Sequence, residues 1–199
     1  MISQILKTPQ PRWTQLTGRR LLNIGGVPHP KGMLSEEIPA YLQAYLDKVN
    51  ELKIFEDKLA NHILLNEYTP GQGILPHLDG PLFYPTISTL SVGSHTVLEF
   101  SQSTDKDEME NLSASVPVFK LLLEPRSLLI LKNSLYSSYM HSISEILVDN
   151  LDDKLLKNLS KCNYDLNVPN NLKTRTTRYS LTIRHVPKAT SKLKLKFGK

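Results

Sequence analysis

In the segment LPHLDGPLFYPT a histidine, His77, and an aspartate, Asp79, stand two apart, directly before a Gly-Pro turn. Side chains two apart on a strand point to one face, so an imidazole and a carboxylate would lie together there. That pair is two thirds of the set that holds a redox-active iron. Iron(II) that must also take a co-substrate and dioxygen needs open coordination positions. Two histidines and one carboxylate on one octahedral face leave three of them free. The third ligand has to come from a later strand that crosses near the first. Of the other histidines, His62 and His95 begin β-like runs, His185 lies beyond the RYSLTIR run, and His29 sits in a Pro-His-Pro turn. His141, in YSSYMHSISEI, follows the SLLILK run and a turn, and is the third ligand expected. A bare HxD would read as a hydrogen-bonded pair at a turn; the case for a metal rests on the rest of the chain.

RYSLTIR carries Arg178 and Arg184, with Ser180 and Thr182 between them on the same strand face. An inward row of this kind costs too much as plain core and makes sense as the lining of an anion pocket. The anion expected is 2-oxoglutarate. Its chelating end takes two iron positions, and its distal carboxylate needs a buried cation that binds in two-point fashion, as arginine does. Upstream, Asn66 and Tyr68 set an amide and a phenol on one face of the strand before the HxD turn, as donors to the same acid.

These side chains need short strands to carry them. After Lys58 the chain turns into β-like runs at 62–68, 86–92, 95–100, 118–124, 127–132 and 178–186, separated by Gly, Pro and Asn turns. Such a pattern argues a sandwich or jelly-roll barrel. Residues 39–49 read as a helix, with Pro39 at its first position and Leu42, Tyr45, Leu46 and Val49 as an apolar stripe. Residues 1–34 read as irregular, 102–115 as a polar loop, and 149–176 as a polar connection with a short helix at 151–160. The fold class expected is mainly β with helices: a double-stranded β-helix core under a helical N-terminal layer. The segments expected are 1–58 as lid and helical support, 59–187 as the β-helix domain, and 188–199 as a basic tail.

The set NxY at 66–68, HxD at 77–79, His141 and RYSLTIR at 178–184 resembles the AlkB-type iron(II)/2-oxoglutarate dioxygenases. The stretches RWTQLTGRRLLNIGGVPHP, NHILLNEYTPGQGILPHLDG and LLLEPRSLLILK look like the AlkB homologue 6 group within that family. The resemblance implies that His77, Asp79 and His141 bind iron(II). It implies that Arg178 pairs with the distal carboxylate of 2-oxoglutarate, that Asn66 and Tyr68 hydrogen-bond it, and that Arg184 lies near its chelating end. Ser180 stands where the family motif usually has asparagine, and Leu78 fills the middle of HxD, near the substrate. The activity implied is hydroxylation of a C–H bond with dioxygen, 2-oxoglutarate leaving as succinate and carbon dioxide. On an N-methyl group this amounts to oxidative demethylation. Relatives carry a further strand and helix before RWTQL, which implies either a reduced lid or a sequence that is an incomplete or alternative product.

Substrates consistent with this chemistry are alkylated DNA, methylated RNA and a protein side chain. Trp13 and Tyr84 either stack on such a substrate or pack, and Arg12, Arg19 and Arg20 either meet its phosphates or fold away. The net charge of +5 resides in the tail: KATSKLKLKFGK holds five lysines and no acid, leaving 19 basic against 19 acidic residues elsewhere. A lysine tail suits phosphate or acidic partners. The rival class is a nucleic-acid- or protein-binding module on the same fold that turns over nothing. One cysteine, Cys162, excludes a disulfide framework and points to a reducing compartment, cytoplasm or nucleus. No apolar run approaches the roughly 18 residues a membrane span needs. A monomer is expected, and the lack of a G-x-S-x-G elbow sets a serine hydrolase aside.

Overall fold

A computed structural model describes residues 1–102, 116–163 and 171–191. Its strands are β1 (Thr14–Gln15), β2 (Arg20–Ile24), β3 (Met33–Ser35), β4 (His62–Tyr68), β5 (Ile74–His77), β6 (Thr86–Gly93) and β7 (Thr96–Gln102). They continue as β8 (Phe119–Leu123), β9 (Leu128–Lys132), β10 (Tyr139–Ile143), β11 (Val148–Asn150), β12 (Leu172–Thr174), β13 (Arg178–Arg184) and β14 (Ala189–Ser191). The helices are α1 (Ile2–Ile5), α2 (Ala40–Glu51) and α3 (Ser134–Ser137).

Two sheets face each other. One has the order β1-β2-β4-β13-β6-β9 and the other β5-β10-β7-β8. The chain passes repeatedly from one sheet to the other: β4 in the first, β5 in the second, β6 back, then β7 and β8, β9, β10, and finally β13. This is the jelly-roll arrangement, with β13 wedged antiparallel between β4 and β6.

Alternation decides what each face of the central strands does. On β13, Tyr179, Leu181 and Ile183 pack with Leu22, Ile24, Ile63 and Leu65 and with the Leu42-Leu46-Val49 stripe of α2. The opposite face carries Arg178, Ser180, Thr182 and Arg184 toward the other sheet, so all seven residues of the strand are buried. Between the sheets Tyr68, Ile87, Leu98, Phe100, Leu123, Leu131 and Ile143 form a second core. The functional side chains therefore stand on a packed floor.

The structure departs from the sequence expectation in three stretches. The N-terminal region is more than a helical layer: β1 and β2 extend the large sheet beyond β4, and β2 and α2 share one core with the barrel strands. The basic pair Arg19-Arg20 masks the strand that begins at its second member. No helix forms over 151–160; a single 3-10 turn spans Leu159–Lys161. Leu151 and Leu156 are buried there as irregular chain, and the Asn158 amide bonds both backbone groups of Leu122, at 2.8 and 2.9 Å. The same connection contains β11 and β12, which pair with each other. The loop expected over 102–115 lies, after Gln102, outside the described residues. The tail opens as β14, parallel to β3, and its lysines from Lys192 onward also lie outside them. Among the described residues no helix is long and apolar enough to cross a membrane.

Candidate active site

Strands β5 and β10 run antiparallel with His77 directly opposite His141, and the two rings lie 4.3 Å apart between centroids. The sequence expectation set His77 and Asp79 on one strand. In the structure β5 ends at His77, and Leu78 and Asp79 occupy the turn that follows. Gly80 closes that turn with φ of 85°, a conformation glycine adopts at no steric cost. Its carbonyl accepts a 2.7 Å hydrogen bond from the Tyr136 hydroxyl. The turn carries the Asp79 carboxylate back over the barrel, where Oδ2 lies 3.5 Å from His141 Nε2 and Oδ1 accepts from Arg184 Nη2.

Both imidazoles are set up as neutral donors. His77 Nδ1 lies 2.8 Å from the Leu75 carbonyl, which can only accept; Nδ1 thus carries the proton and Nε2 keeps its lone pair. Burial lowers the His77 pKa, and burial with repulsion from His77 takes His141 down to about 4. Neutral imidazole is the form that binds a metal. Among the described residues no three His, Cys, Asp or Glu side chains already converge as a cation cluster, and Asp79 is engaged by Arg184. The donor set itself, two neutral imidazoles and a carboxylate, fits iron(II) with open positions.

These three residues border a cavity of about 180 Å³, whose wall also includes Arg19, Asn66, Tyr68, Leu78, Arg178, Ser180, Thr182 and Arg184. Arg178 is 4 % exposed. Its Nη2 donates to Ser91 Oγ at 2.9 Å, its guanidinium lies 5.7 Å from the Tyr68 ring centroid, and its Nε has no hydrogen-bond partner among the described residues. Burial lowers its pKa to about 10, so it remains a cation at neutral pH. A desolvated guanidinium with an unused N–H calls for an anion. Burial raises the Tyr68 phenol and keeps it a donor. Ser180 lies in register between Asn66 and Ser91. Arg184 also has an unpartnered Nε among the described residues, and it packs 4.2 Å from the Phe83 ring centroid.

Trp13 and Tyr84 stand outside this wall. Trp13 lies under the Arg20 guanidinium at 4.2 Å and against the first core, while Arg20 grips Glu67 with bonds of 2.6 and 2.7 Å. Tyr84 meets Phe55 and His185 edge-on. Of the two alternatives, stacking on a substrate or packing, the contacts present for both residues are packing contacts. Arg12 pairs with Glu36 at 3.7 Å. Sequence reasoning overlooked Ser91 as the Arg178 partner; its signal was the Thr89-x-Ser91 polar alternation on β6. It also left the place of Arg19 undecided.

Comparison with known proteins matches residues 6–184 to the 2OG-Fe(II) oxygenase superfamily model. The chain belongs to the 2OG-Fe(II) oxygenase superfamily. It is 44% identical over 190 residues, 94% of this chain and 80% of the relative, to the "Probable RNA/DNA demethylase ALKBH6" of Danio rerio. To the "Alkylated DNA repair protein ALKBH8 homolog" of Arabidopsis thaliana it is 28% identical, covering 63% of this chain and 40% of that one. The solved structure of OsALKBH1 aligns with a TM-score of 0.51 at 15% identity, over 92% of this chain and 87% of that one, a likeness of fold. This 2OG-Fe(II) oxygenase is thus an oxidoreductase of the AlkB kind, and its family works with iron(II), 2-oxoglutarate and dioxygen.

Proposed function

We propose that this oxygenase removes alkyl groups, methyl above all, from the nitrogen atoms of nucleic-acid bases. His77, Asp79 and His141 would hold iron(II). Arg178 and Tyr68 would bind the distal carboxylate of 2-oxoglutarate, and Asn66, Ser180 and Arg184 the remainder of it. Bound in that way, the iron and its co-substrate supply the oxidising power to hydroxylate a C–H bond. Hydroxylation of an N-methyl carbon leaves a hemiaminal, which releases formaldehyde and the free nitrogen. The single observation that carries this reading is the buried Arg178 cation, whose Nε has no hydrogen-bond partner among the described residues, in the same cavity as two neutral histidines and a carboxylate. The nucleic-acid substrate is supported by what the Danio rerio and Arabidopsis thaliana relatives are named for. Leu78, 38 % exposed beside two proposed ligands, would lie against the substrate.

The chain's own groups then have distinct tasks. The neutral imidazoles offer lone pairs without a proton to displace. Arg178 and Tyr68 orient the acid so that its chelating end meets the histidines. The apolar floor of Ile87, Leu98 and Leu131 keeps water out from below. The test is anaerobic. With iron(II) and 2-oxoglutarate the wild type should show the weak visible charge-transfer band of chelated co-substrate, and His141→Ala should lack it. Arg178→Ala should keep iron and weaken 2-oxoglutarate by at least about thirty-fold, as expected when one partner of a buried charge pair is removed. With dioxygen, methylated oligonucleotides should yield formaldehyde. A folded wild type without the band would overturn the reading.

A further inference from the structure

Arg19 and Arg20 are neighbours in sequence and do opposite things. Arg20 turns to the outer side of the sheet and grips Glu67. Arg19 turns to the cavity, where its Nε donates to Asn66 Oδ1 at 3.0 Å. The turn that delivers it is tight. The Leu16 amide donates to the Arg19 carbonyl at 2.9 Å, and the Gln15 side chain caps both of their carbonyls. The turn is also pressed against the start of β5, since a Cβ on Gly18 would stand 2.8 Å from the Gly73 carbonyl oxygen.

Arginine has five donors and no acceptor, so the Asn66 atom that faces it must be the amide oxygen. The Arg19 contact is the side-chain hydrogen bond that the Asn66 amide makes among the described residues. With its oxygen committed, the amide keeps its NH2 as the end left for a ligand. Asn66 is 5 % exposed and lines the cavity, so that NH2 serves whatever the cavity holds. A flipped amide would present its oxygen to an anion and repel it.

We infer that Arg19 is a positioning residue for the co-substrate: it locks the Asn66 amide with its donor end toward the bound acid. This rests on the 2-oxoglutarate reading above. Arg19 acts through Asn66, and its removal lets the amide turn without disturbing iron.

The test uses the full chain loaded anaerobically with iron(II) and titrated with 2-oxoglutarate, read by the charge-transfer band. Arg19→Ala should raise the dissociation constant about ten-fold, the order expected for one misdirected hydrogen bond, with iron affinity unchanged. Arg19→Lys, which keeps a cationic donor, should recover part of it. The double variant Arg19→Ala/Asn66→Ala should bind no more weakly than Asn66→Ala alone. Unchanged affinity in Arg19→Ala overturns the inference and leaves the co-substrate reading standing. Additive losses in the double variant also overturn it, because Arg19 would then act independently of Asn66. If the wild type gives no band, the co-substrate reading fails and the inference falls with it. Arg19 sits half-buried at a turn, and near-UV circular dichroism of each variant confirms that the comparison is between folded proteins.

Discussion

At the scale of single residues, Asp79 has two duties. It borders the cavity as a candidate iron ligand, and it neutralises Arg184, both side chains being under 10 % exposed, at 4 and 8 %. Breaking a buried pair from one side leaves an uncompensated charge, which costs about 3–5 kcal/mol. Asp79→Ala should therefore lower the unfolding free energy of the metal-free protein by that order in urea titrations with a chelator present. His141→Ala deletes a neutral ring and should cost less. Equal losses in the two variants would remove the structural duty from Asp79. The residues legible in the sequence were those in motifs: Asn66, Tyr68, His77, Asp79, His141 and the polar face of RYSLTIR, all of which border one cavity. Polar groups recurring at the strand period have no cheap reason to face a core, which made them visible. Ser91 was marked only by its alternation with Thr89 on β6, and Arg19 had no mark at all. A serine in a β-like run and an arginine in a basic pair are ordinary until a partner is known, and their partners, Arg178 and Asn66, are distant in the chain.

At the scale of elements, the site depends on how closely β5 and β10 approach. Each supplies one histidine, and their register slips between His141 and Ile143. Gly73, just before β5, is what lets them meet. A Cβ there would stand 2.1 Å from the Ile143 carbonyl oxygen, inside any tolerable contact. Gly73→Ala must push β5 away from β10 and part His77 from His141. The variant should lose about ten- to a hundred-fold in affinity for cobalt(II), used as an iron surrogate, although no ligand has changed; supporting residues cost this much elsewhere. Calorimetric titration measures it, and unaltered affinity would mean that the strand can shift without carrying the histidine along. The strands over 62–68, 86–92, 118–124 and 127–132 were legible, within a residue or so, as short β-like runs between turn signals. The strand Arg20–Ile24 was not, because its basic start does not resemble a strand until β4 pairs with it. The approach of β5 to β10 was equally hidden, since a glycine in TPGQG reads only as a turn.

At the scale of the whole molecule, the β-like runs announce strands but not their partners; the family resemblance implied a double-stranded β-helix, and the structure adds that β13 is wedged between β4 and β6. One consequence of this wedge is a buried histidine beside β13. His62 starts β4 opposite Arg184, is fully buried, and has Nε2 3.1 Å from Asn23 Oδ1. Its Nδ1 has no hydrogen-bond partner among the described residues. Burial first, and the Arg184 charge second, push its pKa from 6.5 to about 3. The folded protein thus refuses a proton that the unfolded chain accepts. The sign follows: stability is full above pH 6.5 and falls as pH drops from there toward 3, at up to about 1.4 kcal/mol per pH unit. His62→Gln keeps a polar group for Asn23 and removes the proton site. Between pH 6.5 and 5, before the carboxylates titrate strongly, the wild type should lose about 2 kcal/mol more than the variant in denaturant titrations of the metal-free protein. His77 and His141, present in both proteins, cancel in that difference. Parallel pH profiles would mean that His62 takes up its proton in the folded state, and that the space around its Nδ1 admits water.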